Sequence, residues 1–183
     1  MKLLIASDIH GDADATKKLF EAFEREKADK LLLLGDLLYH GPRNNLPAHY
    51  APKEVIECLN AHKDILLCVR GNCDAEVDSM VLSFPIRADY AFLSLDGITV
   101  FATHGHLFTH HECALKKGDC FLQGHTHIPQ IQMTDDGILL LNPGSVSLPK
   151  NNAPATYMLF DEGSFILKTI DGRVYPVTSK NKE

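Results

Sequence analysis

The chain has 183 residues, of which 18 are lysine or arginine and 24 are aspartate or glutamate, so its formal net charge is −6. This balance gives no global basic surface, and no specific nucleic-acid binding is expected. No apolar run reaches the roughly 18 residues of a membrane span, so no membrane association is expected. Residues 1–12 (MKLLIASDIHGD) have too short an apolar run for a signal peptide, which predicts a cytoplasmic protein.

Five cysteines occur without any CxxC pair, at positions 58, 68, 73, 113 and 120. An odd number of thiols and no secretion signal argue against a disulfide framework, and the spacing excludes a four-cysteine zinc knuckle. Cys58, Cys68 and Cys120 lie in apolar, periodic segments and are predicted to be small core residues. Cys73 ends an apolar stretch (LLCVRGNCDAEV, 66–77), where it is either a nucleophile or part of a metal site.

The first half of the chain alternates apolar strands with amphipathic helices. Apolar runs predict buried strands at 2–7, 30–36 and 64–72, and helical periodicity predicts helices at 13–27 and 51–62. This β-α-β-α-β order predicts a parallel sheet with right-handed crossovers. The irregular stretch 39–52 (YHGPRNNLPAHYAP) is long for a loop in a compact domain, which favours a functional role.

The second half is antiparallel in character. Strand–turn–strand patterns occur at 90–106, 130–142 and 157–177, with a short strand at 120–124. These elements are expected to form a second sheet packed on the first, in an α/β fold. The chain is interpreted as one domain over residues 1–178, followed by a polar tail at 179–183.

Polar residues follow the ends of the apolar strands: Asp8 and His10; Asp36; Asn72, Cys73 and Asp74; His104 and His106; His125 and His127. Ligands of open α/β sheets bind outside the carboxyl ends of the strands, which is where these residues fall. Carboxylates, imidazoles and an amide oxygen suit Mn, Fe, Zn, Co or Ni better than a thiolate centre would. A carboxylate such as Asp36 can bridge two ions, and such pairs promote phosphoryl transfer.

Five motifs that contain these residues resemble those of the calcineurin-like metallophosphoesterases: SDIHGD, LLGDLL, RGNCDAE, ATHGH and QGHTHIP, within residues 7–129. The segment NPGSVSLPK (142–150) is similar to the bacterial YfcE-type phosphodiesterases of that family, so the resemblance covers nearly the whole chain. It implies a four-layer α/β/β/α sandwich of two mixed sheets. It also implies two divalent metal ions, with Mn2+ expected first and Ni, Co, Zn, Fe or Mg as alternatives.

Carried over by position, the resemblance implies that Asp8, His10 and His127 hold one metal, that Asn72, His104 and His125 hold the other, and that Asp36 bridges them. His104 is preferred to His106 because the metal histidine of the family comes directly after the strand. Asn72 contributes an oxygen without charge, which keeps the metal pair cationic towards phosphate.

Cys73 departs from the usual family pattern, in which a histidine at this place stabilises the transition state or protonates the leaving group. The YfcE-like branch also has cysteine, so the change does not argue against an enzyme. His106 is the candidate replacement as general acid; the alternatives are that it supports a ligand or a turn, or that no acid is needed. A cysteine nucleophile is disfavoured, because no cysteine here has an arginine six positions after it, as in cysteine phosphatases.

The remaining candidates surround this set. Arg43, in the long loop, is the first candidate for binding the substrate phosphate because a guanidinium matches phosphate geometry. Cys73 and His106 are further substrate-binding candidates. Asp74 is expected to cap the following short helix or to orient a ligand. Residues 142–145 (NPGS) are interpreted as a tight turn near the site.

Together these features predict a dinuclear-metal phosphodiesterase that hydrolyses a small phosphodiester substrate with a metal-bound hydroxide. Its catalytic residues are predicted to be Asp36, Asn72, Cys73 and His106. A phosphomonoesterase or pyrophosphohydrolase with the same centre is the alternative within enzymes. A non-catalytic scaffold of the same fold, as in the similar retromer subunit, is the alternative outside them. The oligomeric state is left open, with a homo-oligomer allowed.

Overall fold

The strands form two five-stranded sheets, which the computed structural model describes over residues 1–176. The strands in this range are β1 (Leu3–Ala6), β2 (Lys30–Leu33), β3 (Leu66–Cys68), β4 (Tyr90–Leu95), β5 (Ile98–Thr103), β6 (Cys120–Leu122), β7 (Gln130–Met133), β8 (Leu139–Asn142), β9 (Thr156–Asp161) and β10 (Ser164–Thr169). The α-helices in this range are α1 (Ala13–Glu26) and α2 (Pro52–Ala61). The predicted polar tail at 179–183 lies outside the described residues.

The first sheet has the strand order β10-β9-β1-β2-β3, and β1, β2 and β3 are parallel as predicted. Alternate residues of a strand point to opposite faces of its sheet. In β1, Leu4 therefore packs on the helix side, whereas Leu3 and Ile5 belong to the core between the sheets. A strand buried on both faces explains why its sequence is a continuous apolar run.

The two helices cover the outer face of the first sheet. The side chain of Asp12 caps α1 by accepting a hydrogen bond from the backbone N–H of Ala15 at 2.9 Å. The apolar stripe of α1, which includes Leu19 and Phe23, packs in one cluster with Leu59 of α2. Burial of each such side chain contributes roughly 1.5–3 kcal/mol. This packing fixes the loop between β1 and α1, where the motif SDIHGD lies.

The second sheet has the strand order β4-β5-β6-β8-β7. The predicted hairpins β4–β5 and β7–β8 are antiparallel, whereas β5, β6 and β8 run parallel to one another. Each sheet therefore contains both parallel and antiparallel strand pairs, as predicted for a four-layer sandwich of two mixed sheets. The inner face of the second sheet, which includes Val100, Leu122 and Leu141, packs on the first sheet in a single apolar cluster.

The third predicted hairpin was assigned to the wrong sheet. β9 and β10 do form a hairpin, but β9 pairs antiparallel with β1 and so completes the first sheet. Five of the six residues of β9 are buried, and Met158 and Phe160 extend the core between the sheets beside Ile5 and Leu3. This pairing covers the apolar edge of β1, which the parallel strands alone would leave exposed.

The outer face of the second sheet carries a thin layer. Phe101, Phe121 and Ile138 form a small cluster there, covered in part by Phe108 and Leu115. The covering segment contains a 3-10 turn at His110–Glu112. The fourth layer of the sandwich is thus a short 3-10 turn with irregular chain.

The fold also bears on the predictions about membrane-spanning segments and about the buried cysteines. Among the described residues, no helix is both long and apolar enough to cross a bilayer. Cys120 is buried between the sheets, and Cys58 and Cys68 are half-buried against the core on the helix side, which confirms their placement as core residues.

Candidate metal centre

The polar residues predicted at strand ends converge on one place, where the carboxyl ends of both sheets meet. The loops after β1 and β2 run side by side, because the backbone N–H of Asp8 donates to the carbonyl of Gly35 at 3.1 Å and that of His10 to the carbonyl of Asp36 at 2.8 Å. The loop after β6 joins them, since the backbone N–H of His125 donates to Oδ2 of Asp8 at 3.1 Å. Parallel order in both sheets therefore brings these loops together.

One cluster of donor atoms consists of Asp8, His10 and His127. Nε2 of His10 lies 3.2 Å from Nε2 of His127. Oδ1 of Asp8 lies 3.5 Å from Nε2 of His10 and 3.2 Å from Nε2 of His127. All three side chains are buried. A metal ion with bonds of roughly 2.0–2.2 Å holds its ligand atoms about 3.0–3.5 Å apart, which these separations match.

A second cluster consists of Asn72, His104 and His125. Nε2 of His104 lies 3.1 Å from Oδ1 of Asn72 and 3.3 Å from Nδ1 of His125. His104 is fully buried, whereas Asn72 is exposed. This cluster therefore opens towards solvent more than the first.

Asp36 lies between the two clusters. Its Oδ2 is 3.7 Å from Nε2 of His10 and 3.5 Å from Nε2 of His104. Its Oδ1 accepts a hydrogen bond from the backbone N–H of Cys73 at 2.7 Å. One carboxylate thus faces a nitrogen of each cluster, while its other oxygen is anchored to the loop after β3.

Backbone carbonyls orient three of the imidazole rings. Nδ1 of His10 donates to the carbonyl of Tyr39 at 2.8 Å, Nδ1 of His104 to that of Leu34 at 2.7 Å, and Nδ1 of His127 to that of Leu148 at 2.6 Å. A protonated Nδ1 leaves Nε2 with its lone pair free and aimed into the centre. The rings are thereby set in the tautomer that a cation requires.

Five of the seven candidate ligands have a left-handed backbone, with φ between 51° and 64°: Asp8, His10, Asp36, His125 and His127. This conformation is uncommon for residues other than glycine and costs roughly 1–2 kcal/mol at each position. In a strand, neighbouring side chains point to opposite faces. The candidate ligands of the loops after β1 and β6 are two positions apart, at 8 and 10 and at 125 and 127. Their left-handed backbone shows that these segments are tight turns and not extended strand, and the turns hold the donors in one small volume.

The donor set fits a cation. Oδ1 of Asp8 is fully buried and accepts no hydrogen bond. A buried carboxylate oxygen without a partner is costly, and a metal ion would satisfy it. The remaining donors are imidazole nitrogens and carboxylate or amide oxygens, the types that divalent transition metals prefer.

The centre concentrates negative charge. Burial lowers the pKa of His104, but Asp36 and Asp8 outweigh it and raise that pKa to about 9. Burial raises the pKa of Asp8, but the imidazoles of His10 and His127, whose Nε2 atoms lie 3.5 and 3.2 Å from its Oδ1, hold it well below its ordinary value. Both shifts have the same cause, which is that two buried carboxylates attract positive charge to this point.

Cys73 and His106 lie beside the clusters. Sγ of Cys73 lies within 4.8 Å of donor atoms of His10 and Asp36, and it accepts a hydrogen bond from Nδ2 of Asn72 at 3.1 Å. Burial and the carboxylate of Asp36 raise the pKa of this thiol to about 12. The ring of His106 is 5.3 Å from that of His104, and its Nδ1 is buried without a hydrogen bond.

Burial and the nearby imidazoles lower the pKa of His106. Arg43 is exposed in the loop 39–52, and its charge contributes to lowering the pKa of His125, whose largest cause is burial. The long loop therefore brings this guanidinium close enough to act electrostatically on the more open cluster.

The segment after β8 supports the centre in a way that the sequence reading missed. The hydroxyls of Ser145 and Ser147 both donate to the carbonyl of Asp8, at 2.8 and 2.9 Å. Nδ2 of Asn142 donates to the carbonyl of Gly124 at 2.8 Å, directly before His125. The sequence did contain one signal of this role, because the turn residues of NPGSVS directly follow a strand that ends at the same side as the other loops of the centre.

Comparison with known proteins identifies the family. Residues 1–164 match the model of the calcineurin-like phosphoesterase superfamily domain. The chain belongs to this superfamily.

Curated relatives include phosphodiesterase YfcE of Escherichia coli K12, which is 49% identical over 164 residues covering 88% of each chain. Phosphodiesterase MJ0936 of Methanocaldococcus jannaschii is 30% identical over 152 residues, covering 79% of this chain and 83% of the relative.

Solved structures agree on the fold of this phosphoesterase. The structure of E. coli YfcE, described as a phosphoesterase, superposes with a TM-score of 0.92 at 43% identity and covers 99% of this chain and 100% of that chain. Vps29 of Chaetomium thermophilum superposes with a TM-score of 0.63 at 16% identity, covering 96% of this chain and 94% of that chain, a likeness of fold alone.

Proposed function

We propose that the protein is a phosphodiesterase that works with two divalent metal ions, with Mn2+ as the first candidate. The observation that carries the proposal is the position of Asp36 between the two clusters. Its Oδ2 lies 3.7 Å from Nε2 of His10 in one cluster and 3.5 Å from Nε2 of His104 in the other. A carboxylate so placed suits a bridging ligand between paired ions. The phosphodiesterase names of YfcE and MJ0936 favour a diester as substrate.

The ligand assignment follows the two clusters. Asp8, His10 and His127 would hold one ion, Asn72, His104 and His125 the other, and Asp36 would bridge them. Ions bound there would supply a hydroxide nucleophile at neutral pH and positive charge against the phosphate. The chain itself fixes the donors through backbone hydrogen bonds, so little reorganisation is needed before a substrate binds.

Three further residues would act on the substrate. Arg43 would pair with a phosphate oxygen, because its exposed guanidinium has no competing ion pair among those of the described residues. His106 would deliver a proton to the leaving oxygen, since its Nδ1 has no other partner. Cys73 would border the phosphate as a neutral thiol.

The test compares hydrolysis of bis-p-nitrophenyl phosphate with that of p-nitrophenyl phosphate. The protein is stripped with a chelator and supplied with Mn2+, Ni2+, Co2+, Zn2+ or Mg2+ separately. We expect turnover restored by metal and faster on the diester. Asp36→Ala and Asn72→Ala should abolish it, whereas Asp119→Ala and Asn60→Ala, which change the same residue types elsewhere, should retain it.

Each other outcome has a defined meaning. Metal-dependent turnover retained in both Asp36→Ala and Asn72→Ala would contradict the proposal. Preference for the monoester would favour a phosphomonoesterase. If no metal restores hydrolysis and the protein has a stable protein partner, a non-catalytic scaffold would be favoured. The cytoplasmic location stays a prediction, which fractionation would test, and the oligomeric state stays open to measurement by sedimentation.

A further inference from the structure

Asp74 is a buried carboxylate close to the centre that none of the donor clusters contains. It is 8% exposed. Its oxygens accept three backbone hydrogen bonds, from the N–H of Asp36 at 2.9 Å, of Leu37 at 2.8 Å and of Gly71 at 2.7 Å. These donors belong to two loops, one after β2 and one after β3. A single side chain therefore ties two loops together.

The two loops carry ligands of both clusters. Asp36 has its left-handed backbone (φ 56°) at the point where its N–H meets Asp74. Gly71 packs so closely on Asp36 that a Cβ at this position would collide with the Asp36 carboxylate. Asn72 follows Gly71 directly. Displacement of either N–H would thus move the Asp36 carboxylate relative to the Asn72 amide.

A capping role for Asp74, one of the two readings of the sequence, is wrong. The short 3-10 helix Glu76–Met80 begins after Ala75, whose backbone N–H donates to the side chain of Asp78 at 2.8 Å. The carboxylate of Asp74 instead points back to the loops before it. The reading in which it orients a ligand is the one compatible with these contacts.

We propose that Asp74 is a positioning residue that sets the separation of the Asp36 carboxylate from the Asn72 amide, and so holds the two metal ions at one spacing. The inference rests on the proposed function, which supplies the ions. Asp74 contacts neither substrate nor metal in this scheme. It acts only through the backbone of the two loops.

The geometry requires a carboxylate. One oxygen accepts from two N–H groups and the other from a third, so both oxygens must be acceptors. Asparagine has one acceptor oxygen and would turn an NH2 group towards at least one backbone N–H. The variant Asp74→Asn preserves the shape of the side chain and changes only this pattern.

The test measures metal binding as well as turnover. Calorimetry with Mn2+ gives stoichiometry and affinity, and electron paramagnetic resonance reports the coupling between two Mn2+ ions. Asp74→Asn should weaken binding of at least one ion by about 10–100-fold, as loss of an outer partner of a ligand does, and should reduce the coupled signal. kcat should fall more than KM rises.

Asp119→Asn is the matched control. Asp119 is also buried, at 6% exposed, and accepts a backbone hydrogen bond from Lys116 at 2.9 Å. It precedes β6, at the end of that strand opposite to His125. This variant should bind two Mn2+ ions with the affinity and coupling of the unaltered protein.

Asp74→Glu covers the case in which Asp74→Asn does not fold, because it keeps both oxygens and displaces them by one methylene. Unaltered stoichiometry, affinity and coupling in whichever of these variants folds would overturn the inference. If the unaltered protein binds fewer than two Mn2+ ions, the proposed function fails first. If it binds two and the Asp74 variants match it, only the role of Asp74 fails.

Discussion

At the scale of single residues, the left-handed backbone of the ligands has a measurable cost. His125 has φ 64°, a conformation that glycine adopts without strain and alanine does not. We therefore expect His125→Gly to be more stable than His125→Ala by about 1 kcal/mol, although both lose the imidazole. Urea unfolding of the two variants measures the difference.

His106 gives the control for this comparison. It is close to His125 but does not have a positive φ. There, glycine should be less stable than alanine by about 0.5–1 kcal/mol, because only the loss of chain entropy remains. A preference for alanine at both positions would show that backbone strain at His125 is not released by glycine.

The thiol of Cys73 gives a second prediction at this scale. Burial and the carboxylate of Asp36 raise the pKa of this thiol to about 12, and the chain has no arginine six positions after it, so Cys73 is a poor candidate for a nucleophile. Cys73→Ser should retain metal-dependent turnover, with kcat/KM changed by less than about tenfold. Steady-state kinetics on bis-p-nitrophenyl phosphate provide the measurement. Complete loss of turnover in the serine variant would reinstate the cysteine nucleophile.

The sequence predicted the polar residues of the centre but not how they are held. Spacing and strand ends were enough to find residues such as His10 and His127, which lie 117 positions apart yet face each other at 3.2 Å. The hydroxyls of Ser145 and Ser147 were not foreseen as partners of Asp8. Contacts to a backbone carbonyl leave no periodic pattern, because any residue could provide that carbonyl.

At the scale of elements, the end of α1 is joined to the first sheet through Glu26. Its carboxylate, 10% exposed, accepts hydrogen bonds from the hydroxyl of Tyr157 at 2.6 Å and from Nζ of Lys168 at 2.7 Å. Burial raises the pKa of Glu26, but these two partners lower it below its ordinary value. The ionised form is therefore the one that stabilises the fold.

The contribution of Glu26 to the free energy of unfolding depends on pH. The stabilisation is present above the unfolded pKa of about 4.3 and is lost as the pH falls through the lower folded pKa. We expect Glu26→Gln to reduce the free energy of unfolding at pH 7 by about 1.5–3 kcal/mol, and the difference to shrink in acid. Urea unfolding across pH measures it. Glu54→Gln, at an exposed ion pair with Lys17, should change little.

The elements themselves were predicted with uneven success. Continuous apolar runs and helical periodicity located β1, β2, α1 and α2, since both signals are local. The partner of β9 was misassigned because a hairpin pattern records which strands are adjacent in sequence, not which sheet they join. The apolar residues of β1 and β9 fit together, but many strands of this chain have similar residues.

At the scale of the whole molecule, the position of the centre follows from the two sheets. Six parallel strands, three in each sheet, end at the same side, and their loops supply every candidate ligand together with the supporting serines. A net charge of −6 does not oppose an anionic substrate at this place if cations occupy it. Variation in the loops can therefore change specificity while the packed sheets remain.

The pairing of β9 with β1 also has a consequence for biosynthesis. β1 precedes its antiparallel partner β9 by most of the described chain, since Leu3 pairs with Phe160. During synthesis, the edge of β1 therefore lacks this partner until β9 has been made, and Leu3 and Ile5 lack the core residues that β9 supplies. The first sheet can be completed only after β9 and β10 have been translated. Until then, the unpaired edge of β1 is a site at which the growing chain can pair with another polypeptide.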